Sequence, residues 1–143
     1  MREILFRGKR VDNGEWVEGC LLSFDSVIGT KSYIIPQDEM CSWISKSASH
    51  TVEVDPNTVG QYIGVKDKFG KKVFEDDIIE ETYICATNGR YAVSYDESSF
   101  TYINPKGWED VIDDNEYGIN IGLCKVIGNI HDNPELMEEK HNG

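Results

Sequence analysis

The chain has 143 residues, 39% hydrophobic and 10% aromatic, with 14 basic and 26 acidic side chains and a formal net charge of −12. That composition supplies a core of ordinary domain size, with about 68% of the unfolded surface buried at this length, and is too apolar for a disordered chain. The apolar runs are short, Ile4-Leu5-Phe6 and Leu21-Leu22 among them, against the roughly 20 residues of a membrane helix, and Met1-Arg2-Glu3 opens no signal-like stretch, so a cytoplasmic protein away from membranes is expected.

In chain order, Ile4, Phe6 and Val11 flank a basic stretch, and Asn13-Gly14 separates it from Glu15-Trp16-Val17-Glu18-Gly19-Cys20-Leu21. Asn-Gly between β-type segments predicts a type I′ hairpin turn, in which both central residues take positive φ. Residues 32–35 read as the next strand. Residues 36–59, bracketed by Pro36 and Pro56 and rich in serine, lack periodicity and read as an irregular connection. A strand over 61–65 then meets the turn Lys66-Asp67-Lys68-Phe69-Gly70, with Gly70 as the left-handed residue of a three- to four-residue loop. Further strands are predicted over 78–81, 81–85, 91–95, 100–103 and 119–130, with a second Asn-Gly turn at Asn88-Gly89. Residues 108–113 read as one helical turn. Asp132-Asn133-Pro134-Glu135 offers a polar cap, an early proline and an acid at the positive end, predicting a short C-terminal helix or a single turn.

The charge is uneven. Residues 1–72 carry ten basic and ten acidic side chains; residues 73–143 carry Arg90, Lys106, Lys125 and Lys140 against sixteen acids. The acidic half repels nucleic-acid phosphates and reads first as a solubilising face. A basic protein patch, or a protein that normally binds DNA, is the alternative contact. Cys20, Cys41, Cys85 and Cys124 form no C-x-x-C pair, which argues against a zinc site of usual spacing. Cys20 and Cys124 lie in apolar runs and read as buried thiols. His50, His131 and His141 match no local nucleophile motif.

Four motifs bear on chemistry. Asp113-Asp114-Asn115-Glu116-Tyr117-Gly118 opens like a calcium loop, but position five is Tyr117 and position twelve is Cys124, where oxygen ligands are required. Gly29-Thr30-Lys31-Ser32 lacks the glycine spacing of a phosphate loop. Glu75-Asp76-Asp77 and Glu80-Glu81 cluster carboxylates of the kind acid–base or metal chemistry uses, though such clusters commonly face solvent. Lys66, Lys68, Lys71 and Lys72 surround one turn with Phe69 near its tip; a basic loop with an aromatic can stack on a base and hold a phosphate, while lysines also protect a hairpin edge.

Residues 61–79 carry the clearest signal. Gln61-Tyr62-Ile63-Gly64-Val65-Lys66-Asp67-Lys68-Phe69-Gly70-Lys71-Lys72-Val73-Phe74-Glu75-Asp76-Asp77-Ile78-Ile79 resembles the Q-Y-T-G-L-K-D-x-x-G-K-x-I-Y-E-G-D-I-V signature of the YopX family of phage and prophage proteins. Arg2-Glu3-Ile4-Leu5-Phe6-Arg7-Gly8-Lys9, Gly14-Glu15-Trp16-Val17-Glu18-Gly19, Val54-Asp55-Pro56-Asn57-Thr58-Val59-Gly60 and Val126-Ile127-Gly128-Asn129-Ile130-His131-Asp132-Asn133-Pro134-Glu135-Leu136 also match, in the family's order. The resemblance implies a phage origin and an SH3-like small β-barrel in the C-terminal part, and brings no catalytic residue. Asp76 stands where the family has glycine; if that position needs positive φ, Asp tolerates it better than most residues.

The expected fold is therefore mainly β with little helix: an N-terminal β-hairpin region over 1–59, then an SH3-like barrel with a short C-terminal helix over 60–143. The expected function is a non-enzymatic phage accessory protein that binds a host or phage protein, without cofactor or metal and without membrane contact. The signature is read as mainly architectural, with Lys66, Lys68, Phe69, Lys71, Lys72, Glu75 and Asp77 as the candidate binding surface. Nucleic-acid binding through the loop from Lys66 to Lys72 is the alternative, and a metal-dependent hydrolase using Glu75 and Asp77 is a third reading. Exposed sheet edges leave self-association open.

Overall fold

A computed structural model describes residues 3–36, 51–81, 90–96, 99–103, 109–111 and 124–137. The chain is mainly β and separates into two compact units, Met1–Tyr62 and Ile63–Gly143.

In the first unit, β1 (Phe6–Lys9), β2 (Trp16–Ser26), β3 (Gly29–Pro36), β4 (Val52–Val54) and the start of β5 (Gly60–Lys66) pair antiparallel in the order β4-β3-β2-β1-β5. Leu5, Ile34, Ile35, Val54 and Tyr62 are buried in it. Asp55 shapes the short 3₁₀ turn Pro56–Thr58 by accepting from the Asn57 N–H at 3.0 Å, and Thr58 Oγ1 then accepts from the Lys9 N–H at 2.9 Å. On β1, the Arg7 guanidinium lies 4.7 Å from the Trp16 ring centroid.

The Asn13-Gly14 turn lies where the sequence puts it, but it is not type I′. Only Gly14 has positive φ, at 72°. The Arg10 N–H reaches the Glu15 carbonyl at 2.9 Å, giving a longer loop, and Asn13 uses its side chain to accept from the Glu15 N–H. Asparagine can stabilise a turn by this side-chain bond as well as by adopting left-handed φ.

In the second unit, the end of β5 leads to β6 (Lys72–Phe74), β7 (Asp77–Glu81), β8 (Arg90–Asp96), β9 (Ser99–Ile103), β10 (Glu109–Val111) and β11 (Cys124–Asn129). The last five form an antiparallel sheet in the order β10-β9-β8-β7-β11. Ile63, Val73, Ile79, Val93, Cys124 and Val126 make its core, with Tyr91 against it.

Several expectations change here. Among the described residues this sheet has two ends and does not close into a barrel. Residues 109–111 pair with β9 as a strand, so that short acidic segment is extended and not helical. A single 3₁₀ turn, Pro134–Met137, stands where a short helix or one turn was expected. Cys124 is buried as expected, whereas Cys20 is exposed, because alternation along β2 turns it outward. The Asn88-Gly89 turn, the calcium-like segment at 113–118, Cys41, Cys85 and residues 37–50 lie outside the described residues. No helix among the described residues is long and apolar enough to cross a membrane.

Asp76 has φ 70°, the left-handed conformation, at the position where the resembled signature has glycine. Its N–H donates to the Val93 carbonyl at 2.7 Å and its carbonyl accepts from the Ile130 N–H at 2.9 Å, which fix the strained backbone. A non-glycine residue at such a φ stores on the order of 1 kcal/mol. Asp76→Gly is expected to relieve that strain while losing the carboxylate's bond to His131, leaving urea stability within about 0.5 kcal/mol of the parent. Asp76→Ala keeps the strain and loses the bond, and should fall about 1–2 kcal/mol below it. Equal midpoints for the glycine and alanine variants would sink this account.

Candidate functional site

The hairpin loop between β5 and β6 is held by one side chain. The Asp67 N–H donates to the Lys71 carbonyl at 2.8 Å, the Gly70 N–H returns to the Asp67 carbonyl at 3.0 Å, and Gly70 takes φ 81°. The loop has three residues, within the three to four predicted, with glycine at its left-handed position. The buried Asp67 carboxylate accepts from the Phe69 and Lys71 N–H groups, each at 2.9 Å, through Oδ1. Its Oδ2 accepts from the Val126 N–H at 3.0 Å. Burial alone raises the Asp67 carboxyl, but the donors from Val126, Lys71 and Phe69, with the Lys71 charge, outweigh it and hold the group below its ordinary range.

The same loop closes one end of the sheet. The Lys68 N–H donates to the Cys124 carbonyl at 3.0 Å, so Asp67 and Lys68 give β11 the bonds that a neighbouring strand would supply.

On this anchored frame Phe69 is 70% exposed. Lys68 Nζ lies 5.1 Å and Lys125 Nζ 5.9 Å from its ring centroid, within cation–π range. Lys66, Lys68 and Lys71 are exposed and Lys72 is half-buried. Sequence reasoning missed Lys125, which stands 56 positions from Phe69 in the acidic half; its place in β11 between buried Cys124 and Val126 predicts that it faces out, but nothing local links it to the loop.

The acidic candidates fall elsewhere. Asp77 is 1% exposed and its Oδ2 accepts from the Phe74 N–H at 2.8 Å, so it belongs to the β6–β7 turn and is not available as a contact surface. Glu75 is half-buried on the same turn. Asp76 Oδ2 is 2.9 Å from His131 Nε2, brought from far along the chain, and Glu80 is 3.0 Å from Arg90 Nε, its partner across the β7–β8 pair, so both carboxylates have basic neighbours. Among the described residues no three His, Cys, Asp or Glu side chains form a metal-holding group.

The first unit holds a separate cleft of about 470 Å³ lined in part by Lys9, Arg10, Lys31, Glu53, Asp55 and Thr58. Its Arg10 pairs with Asp12 at 2.8 Å and its Lys31 with Glu53 at 3.7 Å, so two of its cations are already neutralised. The loop at Phe69, by contrast, combines an exposed aromatic with exposed Lys66, Lys68 and Lys71.

A protein-family model described as YopX protein matches residues 5–138. Among solved structures, the crystal structure of protein EF1440 from Enterococcus faecalis is similar at 19% identity and TM-score 0.50, covering 96% of this chain and 100% of that one. At that identity the likeness concerns the fold alone. No curated protein matches.

Proposed function

We propose, on the premise that the chain belongs to the YopX family, that it is a phage- or prophage-encoded, cytoplasmic, non-enzymatic module that binds a protein through the hairpin tip at Phe69. The observation that carries this reading is an exposed aromatic on a loop whose conformation is set by three bonds to one buried carboxylate. A large apolar side chain that is already ordered loses little entropy on docking, which is what makes aromatic residues effective anchors. The exposed Lys66, Lys68, Lys71 and Lys125 around it suit a partner with an apolar pocket rimmed by carboxylates. The sixteen acids of residues 73–143 make that half of the chain strongly acidic, which disfavours acidic competitors that lack the pocket. Short antiparallel strands joined by tight turns support reading the second unit as SH3-like.

The two lysines beside the Phe69 ring favour one other reading, base stacking by single-stranded nucleic acid. A photo-cross-linking phenylalanine analogue at position 69, in the phage's host cell, separates the two. A discrete protein adduct, lost on Lys68→Glu with Lys125→Glu, is the expected result. An adduct removed by nuclease instead supports the nucleic-acid reading, and labelling no stronger than at exposed Val11 removes both. Phe69→Ala should leave thermal stability within about 0.5 kcal/mol of the parent, as exposed sites do, while abolishing capture of the cross-linked protein.

A further inference from the structure

The β2–β3 hairpin outgrows its sheet. β1 covers β2 only as far as Gly19, opposite Phe6, while β3 pairs with β2 on to Ser26. Leu21 to Ser26 therefore have a strand on one side only among the described residues. Ser26 and Gly29 are register partners across a two-residue turn, the place where such a hairpin has a hydrogen-bonded pair. By the alternation of an antiparallel ladder, Leu21, Ser23 and Asp25 then point their N–H and C=O groups away from β3, at the open edge.

This ribbon is apolar where most of the chain is charged. Leu22 and Phe24 share one face and are about half exposed, Phe24 stacks on Tyr33 with centroids 5.9 Å apart, and Val27 and Ile28 at the tip are almost wholly exposed. Residues 20–31 carry only Asp25 and Lys31 as charges, in a chain of net charge −12. A two-stranded ribbon with an apolar face is marginal in water by itself, and an open edge of this kind templates further pairing.

We propose that the ribbon joins two copies of the chain, β2 to β2, antiparallel about a two-fold axis at Ser23. The charge pattern selects this occupant. Two chains that repel each other over acidic surfaces meet here at a patch of zero net charge, and a strongly charged partner finds nothing here to pair with. The register is self-complementary. With Ser23 opposite Ser23 of the second copy, Leu21 faces Asp25 of the second copy and Asp25 faces its Leu21, so every outward backbone group meets an outward group. The same register sets Leu22 opposite Phe24 of the second copy in the non-hydrogen-bonded position, where side chains approach most closely. No like charges stand opposite. The four apolar side chains of the ribbon leave on the order of 500 Å² exposed per copy, so the contact removes at most roughly 1,000 Å², the low end of specific interfaces.

Sedimentation equilibrium of the full chain across the micromolar range tests this. The expected mass is a reversible dimer. Ser23→Pro deletes an N–H that points outward and keeps the backbone bonds to β3, because proline is tolerated on an edge in that position, and it gives up the 3.0 Å bond between the Ser23 and Ser32 hydroxyls; it should sediment as a folded monomer. Phe24→Lys, at an exposed site, should do the same with an unchanged circular dichroism spectrum. Phe69→Ala, in the other unit, should stay dimeric, so loss of self-association and loss of the Phe69 contact are read separately. A parent chain that stays monomeric across the range, a trimer or larger ring, or a Ser23→Pro variant that dimerises like the parent overturns the proposal.

Discussion

Asp67→Asn is expected to lower stability at pH 7 by about 3 kcal/mol. The asparagine oxygen can still accept from the Phe69 and Lys71 N–H groups, but its amide nitrogen then faces the Val126 N–H, donor against donor. Leaving a buried donor unsatisfied costs about 1–3 kcal/mol, and losing the charge weakens the two remaining bonds further. The effect depends on pH with a definite sign. The folded-state carboxyl sits below its ordinary range, so Asp67 contributes its full stabilisation above the unfolded carboxylate range, near pH 4, and loses it as pH falls through the folded value. The gap between parent and variant, read from urea unfolding, should narrow steadily from pH 5 downward. A variant within 1 kcal/mol of the parent at pH 7, or a gap independent of pH, would falsify the assignment.

Gly8→Ala should be nearly as damaging, at roughly 2–3 kcal/mol. A methyl group there would sit 2.9 Å from both Cβ and Cγ2 of Val54, and Val54 is buried at the root of its own strand. A Cβ cannot swing aside as a side-chain end does, so relief requires a backbone shift, the usual source of overpacking penalties. Val54→Ala alone opens a cavity and should cost about 2 kcal/mol. Combined, the two changes should cost clearly less than their sum, because the smaller residue removes the Cγ2 and Cγ1 contacts while the contact with Cβ persists. Strict additivity in a double-mutant cycle would mean that the Gly8 penalty has another origin.

Local chemistry made much of the fold readable. Alternation and β-branching located β3, β5, β7 and β9, and a glycine after Asp-Lys-Phe located the loop at 67–71. The requirement for positive φ at Asp76 was foreseeable from a glycine replaced. What could not be read were bonds made across long separations. Nothing within a few residues of Asp67 reveals that its second oxygen serves Val126, and nothing near Asp76 reveals His131. Asp77 shows the converse error: three consecutive acids look like surface, yet the third turns inward to cap the Phe74 N–H. Within the segment expected to be a helical turn, residues 109–111 are extended because their partner β9, and not their own propensity, makes them so.

The position of β11 has a consequence for synthesis. It pairs with β7, carries two residues of the core and takes the bonds of the Asp67 loop, yet it follows β7 by more than forty residues. A ribosome adding roughly 5–20 residues per second needs some seconds to deliver it. During that interval the nascent chain holds Ile79 and Val93 without Cys124 and Val126, and the Asp67 carboxylate without its third donor. Premature release before residue 124 therefore yields a polypeptide whose second unit lacks the strand that completes it, suited to proteolysis rather than to competition with the finished protein.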